Sequence, residues 1–438
     1  IGGVSMCALA EVLKGMGLNV QGSDMTDSDT VKHLRSVGIP VTIGHSADNI
    51  IGADCVIRTA AAHNDNPEIA AARAAGIPIF ERAQAWGYIM RAYQNAVCVA
   101  GTHGKTTTTS MLTHIFIEAQ RDPTVMIGGY LPLLQACHRV GKGDTILLES
   151  CEYCNSFLNF FPTTAVILDV DADHLDFFKD LADIQHSFRR FAQLVPANGQ
   201  IVANGDDANT AEALRGMDYV TFGFRTENRV HWANVSPDWR TFDIVCDGKT
   251  YCRVSLGVRG RHNALNALAA AAVAWLYGIA PEAVERGLHE FTGAGRRLEY
   301  KGRFNGADIY DDYAHHPHEL HALLETVKTM GYSRILCAFQ PHTYSRTAKL
   351  FNDFVEQLRR PTIVYLAEIY AAREKNTIGI SSADLAAQIP GAKFYPTFAE
   401  IERELRRIAR PGDIILTVGA GDVFRIGEHL LQQSDSEN

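Results

Sequence analysis

Nowhere in these 438 residues are cysteines spaced as a disulfide framework. The nine present sit inside apolar runs, as Cys98 and Cys337 do, or beside polar candidate sites. That usage suits a reducing cytosol and excludes a disulfide-stapled secreted module. One Cys-x-x-Cys occurs, Cys151/Cys154, and without a second pair it falls short of the four ligands of a structural zinc. It is read as packing beside a functional centre. Basic excess is also missing. Lys and Arg number 41 against 50 Asp and Glu, a formal charge of −9, which excludes a non-specific nucleic-acid binder. The longest apolar run, Ala267 to Tyr277, is too short to span a membrane, and no secretory leader is expected. Internal repeats and low-complexity tracts are absent. Hydrophobic content of 46% and charged content of 21% are ordinary for a cytoplasmic globular protein, and the length suffices for two or three domains.

Against these absences stands Gly101-Thr102-His103-Gly104-Lys105-Thr106-Thr107. An apolar run, Ala96 to Ala100, precedes it, and a helix-forming stretch from Thr108 to Ala119 follows. Strand, glycine loop with lysine, then helix is the order in which a chain builds a phosphate cradle. Backbone N–H groups point at the anion and Lys105 adds a full charge. Thr106 is placed to hold Mg2+ through its hydroxyl. A Walker sequence also carries a glycine five residues before Gly104, where this chain has Val99, so the loop is a variant. A plain glycine turn between strand and helix is the alternative.

The alternation of apolar runs divides the chain into three α/β regions. Residues 1–93 open on Gly2-Gly3 and a helix from Met6 to Met16, then a strand ending at Gly22-Ser23-Asp24, and predict a small Rossmann-like sheet. The chain begins without methionine, and a short strand is expected ahead of the glycine turn. Residues 94–292 predict a central P-loop α/β domain. Its strands fall at 96–100, 145–148, 165–168, 201–203 and 220–222, with a small antiparallel excursion over 229–256 and a buried alanine-rich helix over 263–277. Residues 293–438 predict a further Rossmann-like parallel unit, with strands near 308–310, 335–339, 363–366 and 414–418. The polar tail Ser434–Asn438 is expected to fray.

Gly2, Gly3 and Asp24, about twenty residues on, have the spacing of a dinucleotide fingerprint in which the acid meets a ribose. Alone they suggest a nicotinamide dehydrogenase or a mere tight turn; beside the P-loop they suggest a nucleotide-linked substrate, with ATP at the other site. Glu149-Ser150-Cys151-Glu152 ends a buried strand, where a carboxylate faces the phosphates and offers Mg2+ a hard oxygen ligand. Asp171-Ala172-Asp173-His174-Leu175-Asp176 ends the next strand, and His174 there is either a second-metal ligand or a proton handler. The cluster His315-His316-Pro317-His318, with Glu319 and His321, is read as a loop contacting substrate or phosphate. Neighbouring side chains on one turn seldom converge on an ion, and Pro317 marks a helix start.

The combined pattern resembles the Mur ligases over essentially the whole chain. Gly101–Thr107 is similar to the family's P-loop variant, Glu152 to its metal-binding glutamate, and His174 to the histidine that holds a second Mg2+. Gly260 to Asn266 resembles the segment opening the adenine-contacting helix, with Asn266 at the contact. Arg296-Arg297 resembles the basic pair at the hinge into the last domain. Asp311-Asp312-Tyr313-Ala314-His315-His316-Pro317 and Phe339 to Thr347 are similar to the motifs of the alanine-adding branch. The resemblance thus implies cofactor contacts from the P-loop, Asn266, Arg297 and Asp311, and metal ligation by Thr106, Glu152 and His174. It implies substrate contacts from Gly2, Gly3, Ser23, Asp24, Tyr313, His316 and Arg346, and a catalytic set of Lys105, His174 and Arg346. Departures are the loss of two carboxylates where relatives read Glu-Ala-Asp-Glu-Ser-Asp, and Thr343 in place of an arginine. The second leaves Arg346 for the amino-acid carboxylate. Phe188-Arg189-Arg190-Phe191 offers no lysine for carbamylation, as in the alanine-adding branch.

The resemblance further implies ATP and Mg2+ as cofactors, UDP-N-acetylmuramate and L-alanine as substrates, and a monomer or homodimer in the cytoplasm. ATP's γ-phosphoryl would pass to the lactyl carboxylate, and the alanine amine would attack the acyl phosphate. Two other readings stay open on the residues: a recycling ligase that adds a preformed peptide to the same sugar nucleotide, and a non-catalytic ATP-gated binding protein.

Overall fold

The computed structural model describes residues 1–59, 62–175, 177–372 and 374–434. Asp176 and residues 435–438 of the polar tail therefore lie outside the described residues. The architecture is the expected three-region α/β arrangement, with two sheets carrying most of it.

The central sheet has ten strands. Its middle is parallel, running Val220–Gly223, Gln200–Asn204, Thr164–Ile167, Asn95–Ala100, Thr145–Glu149 and Thr124–Leu131 across the sheet. Val97, Cys98, Val99 and Ala100 are fully buried, because helices cover both faces; hence the unbroken apolar run in the sequence. One edge continues through Val230–Ala233, Thr241–Cys246 and Lys249–Ser255, the expected antiparallel excursion, here hydrogen-bonded onto the same sheet. The other edge is a hairpin, Thr124–Leu131 with Ala136–Arg139, that the apolar pattern did not signal. Gly128 and Gly129 break the alternation, and the register shifts between Met126 and Leu131.

Two helices on one face position the glycine loop. Lys105–Glu118 starts at the loop, and Arg261–Leu276 packs beside it. Ala267 and the four alanines Ala269 to Ala272 are fully buried, small enough to bring that helix close. Their shared core includes Met111, Leu112, Ile115, Val273 and Phe291.

Among the described residues of the first region, four strands of three residues each pair two and two. Gly22–Asp24 lies beside Val41–Ile43, and Val56–Arg58 beside Ile79–Glu81, so the expected single sheet is split. Helix packing holds the region instead. Ala8, Leu9 and Val12 of the helix Val4–Gly15 join Trp86, Ile89 and Met90 in one core with Ala96 and Cys98 of the central sheet. The opposite side of that helix, Cys7 and Ala10, meets Val31, Leu34, Ile39 and Val41.

The third region is a six-stranded sheet ordered Glu299–Phe304, Ala307–Asp312, Asp413–Val418, Arg334–Phe339, Ile363–Leu366 and Lys393–Phe394. All pairs are parallel except the first, an antiparallel edge. One ion pair fastens its middle: Arg334 reaches both carboxylate oxygens of the buried Asp413, at 2.8 and 2.6 Å, and the carbonyl of Ile408. Arg334→Ala would strand that carboxylate. The expected loss is about 3 kcal/mol, read as a lowered urea midpoint at unchanged slope. A midpoint equal to that of the parent would show that the pair does not hold the sheet. No helix among the described residues is long and apolar enough to cross a membrane.

Candidate active site

Strands of the central sheet run parallel, so their C-terminal ends converge, and the open ends of such sheets are where ligands sit. Ala100 leads into the glycine loop, Glu149 into Ser150–Glu152, and Ile167 into the segment 168–175. The loop requires its glycines. Gly101 and Gly104 have φ of +150° and +80°, and a Cβ at Gly104 would stand 2.5 Å from Asn266 Oδ1. Asn266 is thereby placed against the phosphate loop from the neighbouring helix, and is itself buried.

The loop is fastened to segment 168–171. His103 N–H donates to Asp169 Oδ1 at 2.8 Å, and Asp171 N–H donates to Thr102 Oγ1 at 2.8 Å. Burial pushes the Asp169 carboxyl up to about 6, against the pull of His103 and Lys105. Lys105 Nζ donates to the carbonyls of Gly101 and Thr102, at 2.5 and 3.1 Å, and pairs with Glu152 at 3.0 Å. Glu152 is buried, with His174 Nε2 3.5 Å from its other oxygen. Burial alone would raise that carboxyl; Lys105 and His174 hold it below the ordinary carboxylate range. Thr106 Oγ1 donates to Glu149 Oε1 at 3.0 Å, while Gly128 N–H donates to Glu149 Oε2 at 2.6 Å.

Thr106, Glu149, Glu152 and His174 thus gather around the lysine, three of them offering oxygen. That donor set suits Mg2+, a hard cation that prefers oxygen ligands. Glu149 is the member the sequence reading named only as part of an acidic strand end.

The third region meets this centre through Arg346. Its Nε and one terminal nitrogen donate to Asp173 Oδ1 at 3.1 and 2.8 Å, and its other terminal nitrogen lies 3.1 Å from His342 Nδ1. Arg346 and Asp173 are nearly buried, at 10% and 8% side-chain exposure. Burial works to raise the Asp173 carboxyl, but Arg346, with His174 and His315, holds it well below the ordinary range. Arg297 points one nitrogen to 3.7 Å from Glu319 Oε1 and lies over the ring of Tyr313. His316 is the N-cap of the helix Pro317–Lys328, and Glu319 closes the capping box.

Not every expected residue comes to this place. The Asp311 carboxylate is enclosed in its own region, accepting from Arg296 at 2.8 Å and from Thr417 Oγ1 at 2.7 Å. Its neighbour Asp312 is the one that turns toward Arg297, accepting the N–H groups of Leu298 and Ala314. Burial pushes Asp312 up to about 6, opposed by Arg297. Ser23 and Asp24 line a separate cleft of about 420 Å³ in the first region, with His45 and Asn66 on its wall. Gly2 N–H donates to Asp24 Oδ2 at 2.7 Å, where a Cβ on Gly2 would stand 2.8 Å from the same oxygen. Ser23 Oγ donates to Glu68 at 2.8 Å, and Gly3 caps the first helix.

Three matches with known families tile the chain. Residues 1–94 match the family described as Mur ligase family, catalytic domain; residues 99–274 the Mur ligase middle domain; residues 296–421 the Mur ligase, glutamate ligase domain. A UDP-N-acetylmuramate–L-alanine ligase from Agathobacter rectalis is 46% identical, covering 99% of this chain and 96% of its own. The chain belongs to the Mur ligase family. A second ligase of the same name, from Caldanaerobacter subterraneus subsp. tengcongensis, is 42% identical over the same shares. The crystal structure of UDP-N-acetylmuramate-alanine ligase MurC from Thermotoga maritima superposes with a TM-score of 0.83 at 28% identity, covering 100% of this chain and 98% of that one. A murein peptide ligase from Psychrobacter arcticus superposes at 0.72 with 21% identity, covering 99% and 97%, and shares the fold. Membership makes the chain an ATP-dependent ligase, and the three matched segments agree with three α/β regions.

Proposed function

We infer that this Mur ligase joins L-alanine to the lactyl carboxylate of UDP-N-acetylmuramate, converting ATP to ADP and phosphate. The observation that carries the reading is Glu152, a buried carboxylate shared by the P-loop lysine and His174 at the mouth of the parallel sheet. A carboxylate is a poor electrophile until phosphorylated, and phosphoryl transfer needs positioning and charge neutralisation more than covalent help. Lys105 supplies a cation whose position is fixed by two loop carbonyls. Thr106, Glu149, Glu152 and His174 would hold Mg2+, which would neutralise charge on the phosphates. Asn266 lies where it can meet the adenine. Arg346, beside Asp173, and Arg297, above Tyr313, bring positive charge from the third region to the acceptor side. Packing of that region over the loop would exclude water from the acyl phosphate.

In this reading residues 1–93 bind the UDP-sugar through Gly2, Gly3, Ser23 and Asp24, residues 94–292 bind ATP, and residues 293–438 bind the amino acid. Tyr313 and His316 contact substrate, and the enzyme works in the cytoplasm. The names and identities of the two curated relatives support the choice of alanine. The test is ADP release with ATP, Mg2+ and UDP-N-acetylmuramate, offering L-alanine or a preformed tripeptide in parallel. Release is expected with L-alanine. Preference for the tripeptide would make the chain a recycling ligase, and no release with either would leave a nucleotide-gated binding protein.

A further inference from the structure

Four donors outside the Mg2+ set converge where the P-loop meets the third region. One ligand atom from each of His103, Asp171, His316 and His318 lies within 4.8 Å of the others. Two come from the central region and two from the start of the helix Pro317–Lys328. The sequence reading did not expect the histidine turn to gather an ion. Neighbours on one turn do not suffice for an ion, but the structure adds His103 and Asp171 from across the interface.

The donor atoms of His103, Asp171 and His316 are shielded, whereas His318 is exposed and pairs with Asp171. Both ring nitrogens of His103, Asp171 Oδ2 and His316 Nε2 are buried without a hydrogen bond among the described residues. His316 is 3% exposed. The ring centroids of His103 and His316 stand 5.1 Å apart, and those of His316 and His318 5.3 Å apart. His103 Nε2 is 3.7 Å from Asp171 Oδ2, which also contacts His318 Nδ1. Nitrogen and oxygen ligands on a tetrahedral zinc, at about 2.0–2.2 Å from it, stand about 3.3–3.5 Å from one another. The His103–Asp171 separation is thus too long for a hydrogen bond and close to that of two ligands on one ion, whereas the His318–Asp171 contact is a direct ion pair that a shared ion would have to open.

The surroundings orient the first ligand. Glu319 Oε1 lies 3.4 Å from His103 Nδ1, on the side away from Asp171. A carboxylate on the Nδ1 side favours the tautomer that keeps the proton on Nδ1 and leaves Nε2 as the lone-pair donor, the usual arrangement behind a metal-bound histidine. Glu319 is itself fixed by the N–H groups of His315 and His316. His316 Nδ1 accepts the His318 N–H at 3.3 Å, a long contact that the ring would give up on binding through Nε2. Three imidazoles and one carboxylate favour a borderline transition ion, whereas Mg2+ prefers oxygen.

We propose that His103, Asp171, His316 and His318 form a second metal site, selective for Zn2+-class ions, that ties the P-loop to the third region. Such a tie would resist separation of the two regions during turnover, and so makes the ligase responsive to a transition metal.

The test uses the full chain, stripped of metal, in excess Mg2+, titrated with Co2+ and then with Zn2+. One equivalent of Co2+ is expected to give the visible absorption of a tetrahedral nitrogen–oxygen site, and Zn2+ to abolish it. His318 is 69% exposed, so His318→Ala preserves the fold. It is expected to weaken Co2+ binding by at least about tenfold, since even the outer partners of ligands change affinity on that scale. His321→Ala, whose ring pairs with Gln357, leaves the binding unchanged. Absence of the tetrahedral band, a sulfur-to-cobalt charge-transfer band, or parent affinity in His318→Ala would each overturn the proposal.

Discussion

Lys105→Ala is expected to lower alanine-dependent ADP release by about a thousandfold or more, the scale on which a missing cation slows phosphoryl transfer. About 4 kcal/mol of barrier corresponds to that factor. The lysine does two things at once. Its ammonium stands among the loop carbonyls, where the proposed reading places the phosphates, and it neutralises Glu152 at 3.0 Å. Removing it leaves a carboxylate of 3% side-chain exposure with the His174 ring beside it, 3.5 Å away. Burial, which raises the Glu152 carboxyl, is then less opposed. The sign follows from linkage. In the parent, a carboxyl held below its unfolded value stabilises the fold above that value and loses the effect as pH falls. In the variant the carboxyl rises, so the stability gap between the two proteins narrows as pH falls through the carboxylate range. Binding of UDP-N-acetylmuramate, in the first region, is expected to persist. Near-normal ADP release in the variant would remove this loop from the reaction, and a pH-independent stability gap would remove the Lys105–Glu152 pair from the account.

The parts that were legible in the sequence are those whose meaning is local. Strand, glycine loop, lysine and helix follow one another within about twenty residues, and the positive φ of Gly104 is what the loop demands. The helix start at Pro317 is likewise legible locally, although the capping box of His316 and Glu319 is seen only in the structure. Two kinds of fact were not local. Adjacent residues on a strand point to opposite faces, so Asp311-Asp312 alone does not say which carboxylate turns toward Arg297. The answer depends on Thr417 and Arg296, which claim Asp311 from a neighbouring strand and from the hinge. Contacts across the regions are the second kind. Asp173 against Arg346 and His103 beside the histidine turn join segments far apart in the chain. The first region failed differently. Its described strands pair two and two rather than in one sheet, and the helix Val4–Gly15 borrows its core from the central sheet.

Arg346→Ala is expected to raise the KM for L-alanine by about 10- to 150-fold, the equivalent of 1.5–3 kcal/mol for hydrogen bonds to a charged group. The structure sets a rival role beside that one, because two guanidinium nitrogens already donate to Asp173 across the interface. If Arg346 serves only as a latch between the regions, Asp173→Asn should reproduce its effects. KM for ATP and for alanine would then shift together, and the double variant would be no worse than either single one. If Arg346 receives the amino-acid carboxylate, its loss raises the alanine KM far more than Asp173→Asn does, and the ATP KM moves little. Stability separates the roles further. Arg346→Ala strands a nearly buried carboxylate, costing about 3–5 kcal/mol, and adding Asp173→Asn should restore most of it. An alanine KM that stays at the parent value, in a variant otherwise rescued by Asp173→Asn, would assign the guanidinium wholly to Asp173. The alanine carboxylate would then need another cation, and Arg297, over the Tyr313 ring with only a 3.7 Å pairing to Glu319, is the one the geometry offers.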